Sequence, residues 1–173
     1  MTQQAIVCVD DEATVLKSLK TELKEAFGND YLIEIAEGGN DALELVAELL
    51  EDGYEIPLII SDYVMPDMKG DELLRQVHQL SPKTLKVMLT GQATIEGVAN
   101  AIKHAKLYRY ITKPWEAEDL KLTVTEAVYS YLQDKKLAEQ NAKLQEMNQA
   151  LEALNREQAD LIAKLHESES RLR

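Results

Sequence analysis

Residues 58–70 read Leu58-Ile59-Ile60-Ser61-Asp62-Tyr63-Val64-Met65-Pro66-Asp67-Met68-Lys69-Gly70. A short apolar run that meets turn residues reads as a strand buried on both faces. Asp62 falls where that strand ends, and Pro66 and Gly70 stop the chain from continuing it. In open α/β sheets, ligands and chemistry gather at the carboxyl ends of the strands. The stretch therefore presents a carboxylate at the mouth of a crevice, on a rigid support.

The flanking sequence repeats the pattern. Ala5–Val9 is an apolar run ended by Asp10-Asp11-Glu12, and Leu32–Ala36 is a second. Leu85–Leu89 ends at Thr90-Gly91, and Leu107–Ile111 ends at Thr112-Lys113-Pro114. Between these strands the apolar spacing is helical. Val15, Leu16, Leu19, Leu23 and Phe27 share one face, and Gly28-Asn29-Asp30 stops that helix. A second helix, capped by Asn40 or Asp41, turns Ala42, Leu45, Val46, Leu49 and Leu50 inward, and Gly53 and Pro57 close the unit. A third covers Asp71–Leu80 with Leu73, Leu74 and Val77 inward, a fourth covers Ile95–Lys103, and a last begins near Ala117. Strands alternating with helices predict a parallel sheet covered on both faces.

The last helix has no stop signal, because neither glycine nor proline occurs after Pro114. From Asp134 onward there are also no aromatic residues. Leu137, Leu144, Leu151, Leu165 and Leu172 recur in sevens, with Gln158 at the remaining place. Three residues after each come Gln140, Met147, Leu154, Leu161 and Ser168. That is the seam of a coiled coil, preferred over a solvated single helix because a long wet leucine face is costly. At about 1.5 Å per residue it reaches roughly 50 Å beyond the globular part. The expected division is 1–130 for the globular domain and 131–173 for the coiled-coil helix.

The 173 residues suffice for one domain with a core plus an extension. The formal net charge is −12, which argues against nonspecific nucleic-acid binding. The tail from Asp134 holds 7 basic and 8 acidic residues, so the acidity belongs to the globular part. One cysteine, Cys8, permits no disulfide within the chain and suits a reducing compartment. No run approaches a membrane span, and no secretion signal is visible. The expectation is a soluble, cytoplasmic protein.

Asp10-Asp11, Asp62, Thr90 and Lys113 all follow strands, so a parallel sheet places them on one edge. Taken singly, Asp-Asp is usually a helix cap, Lys-Pro a turn, and Thr90 the cap of the next helix; their joint placement is far less expected by chance. Three carboxylates together repel, and a divalent cation and the Lys113 ammonium are their natural partners. Mg²⁺ suits oxygen ligands of this kind. Such a site is arranged for phosphoryl acceptance: cation and Lys113 neutralise the transferring group while Asp62 attacks as nucleophile.

Asp10-Asp11, Asp62 with Met65-Pro66-Asp67 and Gly70, Thr90-Gly91, and Tyr110-Ile111-Thr112-Lys113-Pro114 resemble the receiver domain of two-component response regulators. The resemblance covers residues 4 to 130. It implies a flavodoxin-like, doubly wound, five-stranded parallel sheet, with Asp62 as phosphoacceptor. It also implies that Asp11, Asp62 and the Val64 carbonyl ligate Mg²⁺, with Asp10 acting mainly through water. Lys113 would pair with the phosphoryl group, Thr90 would hydrogen-bond it, and Tyr110 would be the switch aromatic. A cis bond is expected before Pro114. The implied partners are a histidine kinase or phosphotransfer protein and a second copy of the chain, with no direct nucleic-acid binding and no membrane. The implied role is regulatory rather than enzymatic. Val64 and Gln92 occupy places where family members differ in phosphate lifetime, and an apolar Val64 cannot position a water, which implies slow autophosphatase activity.

Residues 165–173, Leu165-His166-Glu167-Ser168-Glu169-Ser170-Arg171-Leu172-Arg173, resemble the lead-in helix of PAS domains, as expected of a chain cut before an output module. His78 and His104 are isolated, and His166, without the flanking run of a histidine-kinase phosphoacceptor, reads as a surface residue. Three rival classes fit less well. A haloacid-dehalogenase-like phosphatase carries a second acid where Val64 stands. A flavodoxin-like cofactor binder needs a phosphate-cradling first loop, and Asp10-Asp11-Glu12 repels phosphate unless a metal is present. A purely structural coiled coil leaves the acidic edge without a purpose.

Overall fold

A computed structural model describes residues 3–91 and 95–172. The elements alternate: β1 (Gln4–Val9), α1 (Ala13–Phe27), β2 (Leu32–Ala36), α2 (Gly39–Glu51), β3 (Glu55–Asp62), α3 (Gly70–Leu80), β4 (Leu85–Thr90), α4 (Ile95–Ala105), β5 (Arg109–Thr112) and α5 (Ala117–Leu172). All strand pairs are parallel and the order is β2-β1-β3-β4-β5. This is the flavodoxin-like, doubly wound sheet expected from the alternation. The chain reverses its direction of travel across the sheet between β1 and β3, and in such folds that reversal opens a crevice at the carboxyl edge.

Each central strand feeds two cores. Ile6 and Cys8 of β1, Leu58 and Ile60 of β3, and Val87 and Leu89 of β4 pack with Leu16, Leu19 and Leu23 of α1 and Leu120, Val124 and Ala127 of α5. The alternate residues Val7, Val9, Ile59 and Met88 face Ala42 and Val46 of α2, Leu73, Leu74 and Val77 of α3, and Ala101 of α4. Burial on both sides explains why the strands read as continuous apolar runs rather than alternating ones. Cys8 is fully buried, and burial pushes its thiol up to about 12.

Three local expectations are corrected. Neither Asn40 nor Asp41 caps α2: the helix begins at Gly39 and carries no side-chain cap of its own. Instead the Asp67 carboxylate accepts the N–H groups of Gly39 (3.1 Å) and Asn40 (2.8 Å) from across the sheet edge. Pro57 does not precede the central strand but lies inside it. Gln4 pairs with Glu55 and Ile6 with Leu58, so β3 holds one extra residue there, and a bulge has no use for the N–H that proline lacks. Finally, β5 starts at Arg109 rather than Leu107. Lys106 takes a positive φ of 52°, and the Leu107 N–H turns back to the Ala101 carbonyl.

The chain divides into two compact units between Leu132 and Gln133. In the first, α5 buries Leu120, Val124, Ala127, Val128 and Tyr131. In the second, Leu137, Leu144, Met147, Leu151, Leu154, Leu161 and Leu165 are all half or more exposed. Among the described residues, no helix is long and apolar enough to cross a membrane.

Candidate functional site

Asp10 directly follows β1, Asp62 ends β3, Thr90 ends β4, and Lys113 directly follows β5. The register aligns Val9 with Ser61, Asp62 with Leu89, and Thr90 with Thr112, so the four residues lie on one edge of the sheet. Apolar strand packing thus fixes the backbone under each polar group.

Asp10 is fully buried and Asp62 is 7% exposed, while Asp11 points to solvent. Carboxylate oxygens of Asp10, Asp11 and Asp62 all lie within 4.8 Å of one another. The Lys113 ammonium sits 2.6 Å from Asp10 Oδ2 and 3.3 Å from Asp62 Oδ1. Backbone groups add to this: the Glu12 N–H donates to Asp10 Oδ1 and the Tyr63 N–H to the same Asp62 Oδ1 that faces Lys113, each at 2.9 Å. The Lys113 N–H donates to the Thr90 carbonyl (3.0 Å), and the Lys113–Pro114 bond is cis.

One ammonium does not balance three carboxylates. Burial, reinforced by the charge of Asp10, pushes the Asp62 carboxyl up to about 6, against the opposing pull of Lys113. Burial alone would lower the Lys113 pKa, but its hydrogen bond to Asp10 and the charges of both aspartates raise it above the ordinary lysine value. The donors are oxygens only, and two of the three carboxylates are held by the backbone. That set fits a hard divalent cation such as Mg²⁺, which keeps several of its own waters.

The structure brings together Asp10, Asp11, Asp62 and Lys113, with Thr90 buried at the end of the neighbouring strand. Val64 lies in the loop after Asp62 and is 53% exposed. Tyr110 does not join the cluster. It pairs with Met88 in the β4–β5 register, one full side-chain repeat before Thr112, and is 54% exposed. Gln92 lies outside the described residues.

Sequence reasoning missed the support of the loop itself. The Gly70 N–H donates to the Tyr63 carbonyl (2.7 Å), and the Tyr63 N–H reaches the Leu89 carbonyl (3.2 Å). The Asp67 bonds to α2 add a third tie, and those same N–H groups hold its carboxyl below the usual range. The sequence signal was the Gly38-Gly39 pair, which leaves the N–H groups at the start of α2 open to an acceptor from elsewhere.

A doubly wound parallel sheet whose carboxyl edge gathers acids, a lysine and a threonine defines a flavodoxin-like α/β module with a cation-ready pocket. The chain belongs to the response regulator receiver domain family, which it matches over residues 6–125. It is 33% identical over 129 residues to the hydrogenase transcriptional regulatory protein HoxA of Bradyrhizobium diazoefficiens, covering 75% of this chain and 25% of that protein. It thus spans about a quarter of the length of the curated relatives it matches first. The signal receiver domain of an HD domain-containing protein from Pseudomonas fluorescens is similar in structure. That match has a TM-score of 0.69 and 29% identity, over 79% of this chain and 94% of that one. A CheY-like receiver domain protein from Methanospirillum hungatei matches with a TM-score of 0.68 and 29% identity, over 77% and 99%. Receivers are regulatory phosphoacceptors of two-component systems that meet histidine kinases or phosphotransfer proteins, and their acidic pocket binds Mg²⁺.

Proposed function

We propose that residues 1–130 are a receiver that takes a phosphoryl group onto Asp62 from a histidine kinase or phosphotransfer protein. Residues 131–173 then pass the change through a dimeric coiled coil to an output module. The observation that carries this reading is the buried Asp62 carboxylate, 3.3 Å from the Lys113 ammonium and grouped with Asp10 and Asp11.

Asp11, Asp62 and the Val64 carbonyl would hold Mg²⁺, with Asp10 reached through water. The ion, when bound, neutralises the charge on the transferring group. A carboxylate oxygen of Asp62 attacks the phosphorus of phosphohistidine; the P–N bond breaks, its electron pair stays on the ring nitrogen, which takes a proton from solvent, and an aspartyl phosphate forms. Lys113, already held by Asp10, pairs with a phosphoryl oxygen. The Thr90 hydroxyl donates to another, and Tyr110 turns inward as Thr90 moves. The chain turns over no other substrate, so it is a regulatory acceptor rather than an enzyme. Hydrolysis of its own phosphate is slow because the side chain of Val64 offers no polar group to orient water. The same reading places it in the cytoplasm, with neither nucleic acid nor membrane as a direct partner.

Acetyl phosphate is expected to label the wild-type chain once, and only with Mg²⁺ present. Asp11→Ala should raise the Mg²⁺ dissociation constant about tenfold or more by calorimetry; unchanged affinity would refute the ligand assignment. Lys113→Ala should keep the metal yet slow labelling.

The raised pKa of Asp62 adds a pH signature. Below about pH 6 the carboxyl holds a proton that Mg²⁺ must displace. Affinity should therefore fall as pH drops from 7 to 5, by up to about tenfold per unit. A flat profile over that range would remove Asp62 from the metal site.

A further inference from the structure

We infer that Asp67 is a positioning residue: by tying the phosphoacceptor loop to the start of α2, it sets where the Val64 carbonyl is presented. The inference rests on the proposed Mg²⁺ site and deepens it.

Residues 63–69 link Asp62 to α3. At the near end Tyr63 is tied twice, its N–H to the Leu89 carbonyl of β4 and its carbonyl to the Gly70 N–H of α3. At the far end the Asp67 carboxylate accepts three backbone N–H groups, two of them from α2. Oδ1 accepts from Gly39 and from Met68 (3.0 Å), and Oδ2 accepts from Asn40. Val64 lies between these anchors, and its exposed side chain offers no anchor of its own. The next residue, Met65, is 6% exposed and belongs to the same hydrophobic core as Tyr63. The Val64 peptide is therefore held by a short span fixed at both ends.

The fit on the α2 side is close. A Cβ at Gly38 would stand 3.1 Å from both Asp67 carboxylate oxygens, and one at Gly39 would overlap the Met68 side chain. The loop thus meets α2 through a charge-assisted clamp on bare backbone, where each bond to an ionised acceptor is stronger than a neutral one. Groups that hold a metal ligand, rather than touch the metal, tune affinity through that ligand. Asp67 acts in this way on a backbone carbonyl.

The test compares Asp67→Ala, Asp67→Asn and Ala47→Gly in the full chain. Ala47 is exposed in the middle of α2 and far along the helix from the loop, so glycine there weakens the helix while sparing the clamp. Mg²⁺ affinity is read by calorimetry, and acetyl-phosphate labelling is followed at both low and saturating Mg²⁺. Asp67→Ala is expected to raise the Mg²⁺ dissociation constant about tenfold, and saturating Mg²⁺ should restore its labelling rate. Asp67→Asn keeps one acceptor oxygen but loses the charge and one of the two bonds to α2, so it should recover only part of the affinity. Ala47→Gly should melt earlier than wild type with unchanged affinity. Unchanged affinity in Asp67→Ala overturns the inference, and so does an equal loss in Ala47→Gly. If Asp67→Ala does not fold, Asp67→Asn carries the test, and affinity equal to wild type overturns the inference. A wild-type chain that binds no Mg²⁺ would fell the metal site and this inference together, whereas a change confined to the variants judges the clamp alone.

Discussion

Asp62→Asn is expected to lose all phosphoryl labelling and, without Mg²⁺, to melt higher than the wild type at pH 7. The first effect follows from chemistry, since an amide is not a nucleophilic carboxylate. The second follows from the site's electrostatics. The folded Asp62 carboxyl titrates near 6 rather than 3.8, chiefly through burial and then through the charge of Asp10. A carboxyl raised on folding favours the fold while protonated. That contribution is complete below pH 3.8 and is lost as pH rises through about 6. At pH 7 the ionised group therefore costs the fold about 3 kcal/mol, and asparagine removes the cost. Lys113 keeps its 2.6 Å bond to Asp10 in the variant, so no buried ammonium is stranded. The melting temperature should rise by about 10 °C, and the gain should vanish below pH 4. Undiminished labelling would sink the phosphoacceptor assignment, and a variant that melts lower at pH 7 would overturn the electrostatic account.

The second large effect concerns assembly. The chain should sediment as a dimer at tens of micromolar, and Leu151→Lys with Leu154→Lys should convert it to a monomer that still accepts phosphate. Leu137, Leu144, Met147, Leu151, Leu154, Leu161 and Leu165 are half or more exposed in one copy, and an apolar stripe of that kind is normally covered. We expect the two helices to run parallel, because aligned helices can pass a rotation or register change in one direction. Gln140 and Gln158 interrupt the seam and can fix its register at some cost in stability. A pair such as Lys164 with the partner's Glu169 adds no more than roughly 1 kcal/mol. Antiparallel pairing buries the same leucines while separating the acidic receivers, so it is the rival. Single cysteines at Leu151 and at Leu172 decide between them. Parallel chains should form a disulfide at either position under mild oxidation. An antiparallel pair links a position to itself only near the middle of the seam and should fail at Leu172. Cys8 can stay, since full burial and a thiol pushed up to about 12 keep it unreactive. A monomeric wild type would defeat both arrangements.

Much of this fold was legible because its signals are local. Leu58-Ile59-Ile60 before Asp62 announces a strand and its end within a few residues, and so does Val7-Cys8-Val9 before Asp10. Once the strands are parallel, their polar termini must share an edge, which is how Asp10, Asp62, Thr90 and Lys113 were found together. What escaped depends on contacts between distant segments. The cap of α2 comes from Asp67, 27 residues beyond Asn40, and no window on α2 contains it. Pro57 looked like a stop because its accommodation depends on β1 across the bulge. His78 looked isolated, yet its Nδ1 lies 2.8 Å from the ammonium of Lys86. Lys86 is itself 1% exposed in β4, and burial lowers its pKa to about 8. Tyr110 carried its expected role by resemblance, and nothing in its own neighbourhood could have told an outward ring from an inward one.

The glycines around the phosphoacceptor loop set rules for how this chain can vary over time. A Cβ on Gly70 would fall within the envelope of the Asp62 carbonyl oxygen, which is backbone and has nowhere to go. One on Gly39 would meet the Met68 side chain, and one on Gly97 the outer edge of the Tyr63 ring. Those two obstacles are movable side chains. Drift at position 39 should therefore be tied to position 68, and drift at 97 to 63, each pair admitting a larger residue on one side only as the other shrinks. Position 70 has no such partner, and every lineage that keeps this loop should be confined there to the smallest residue available.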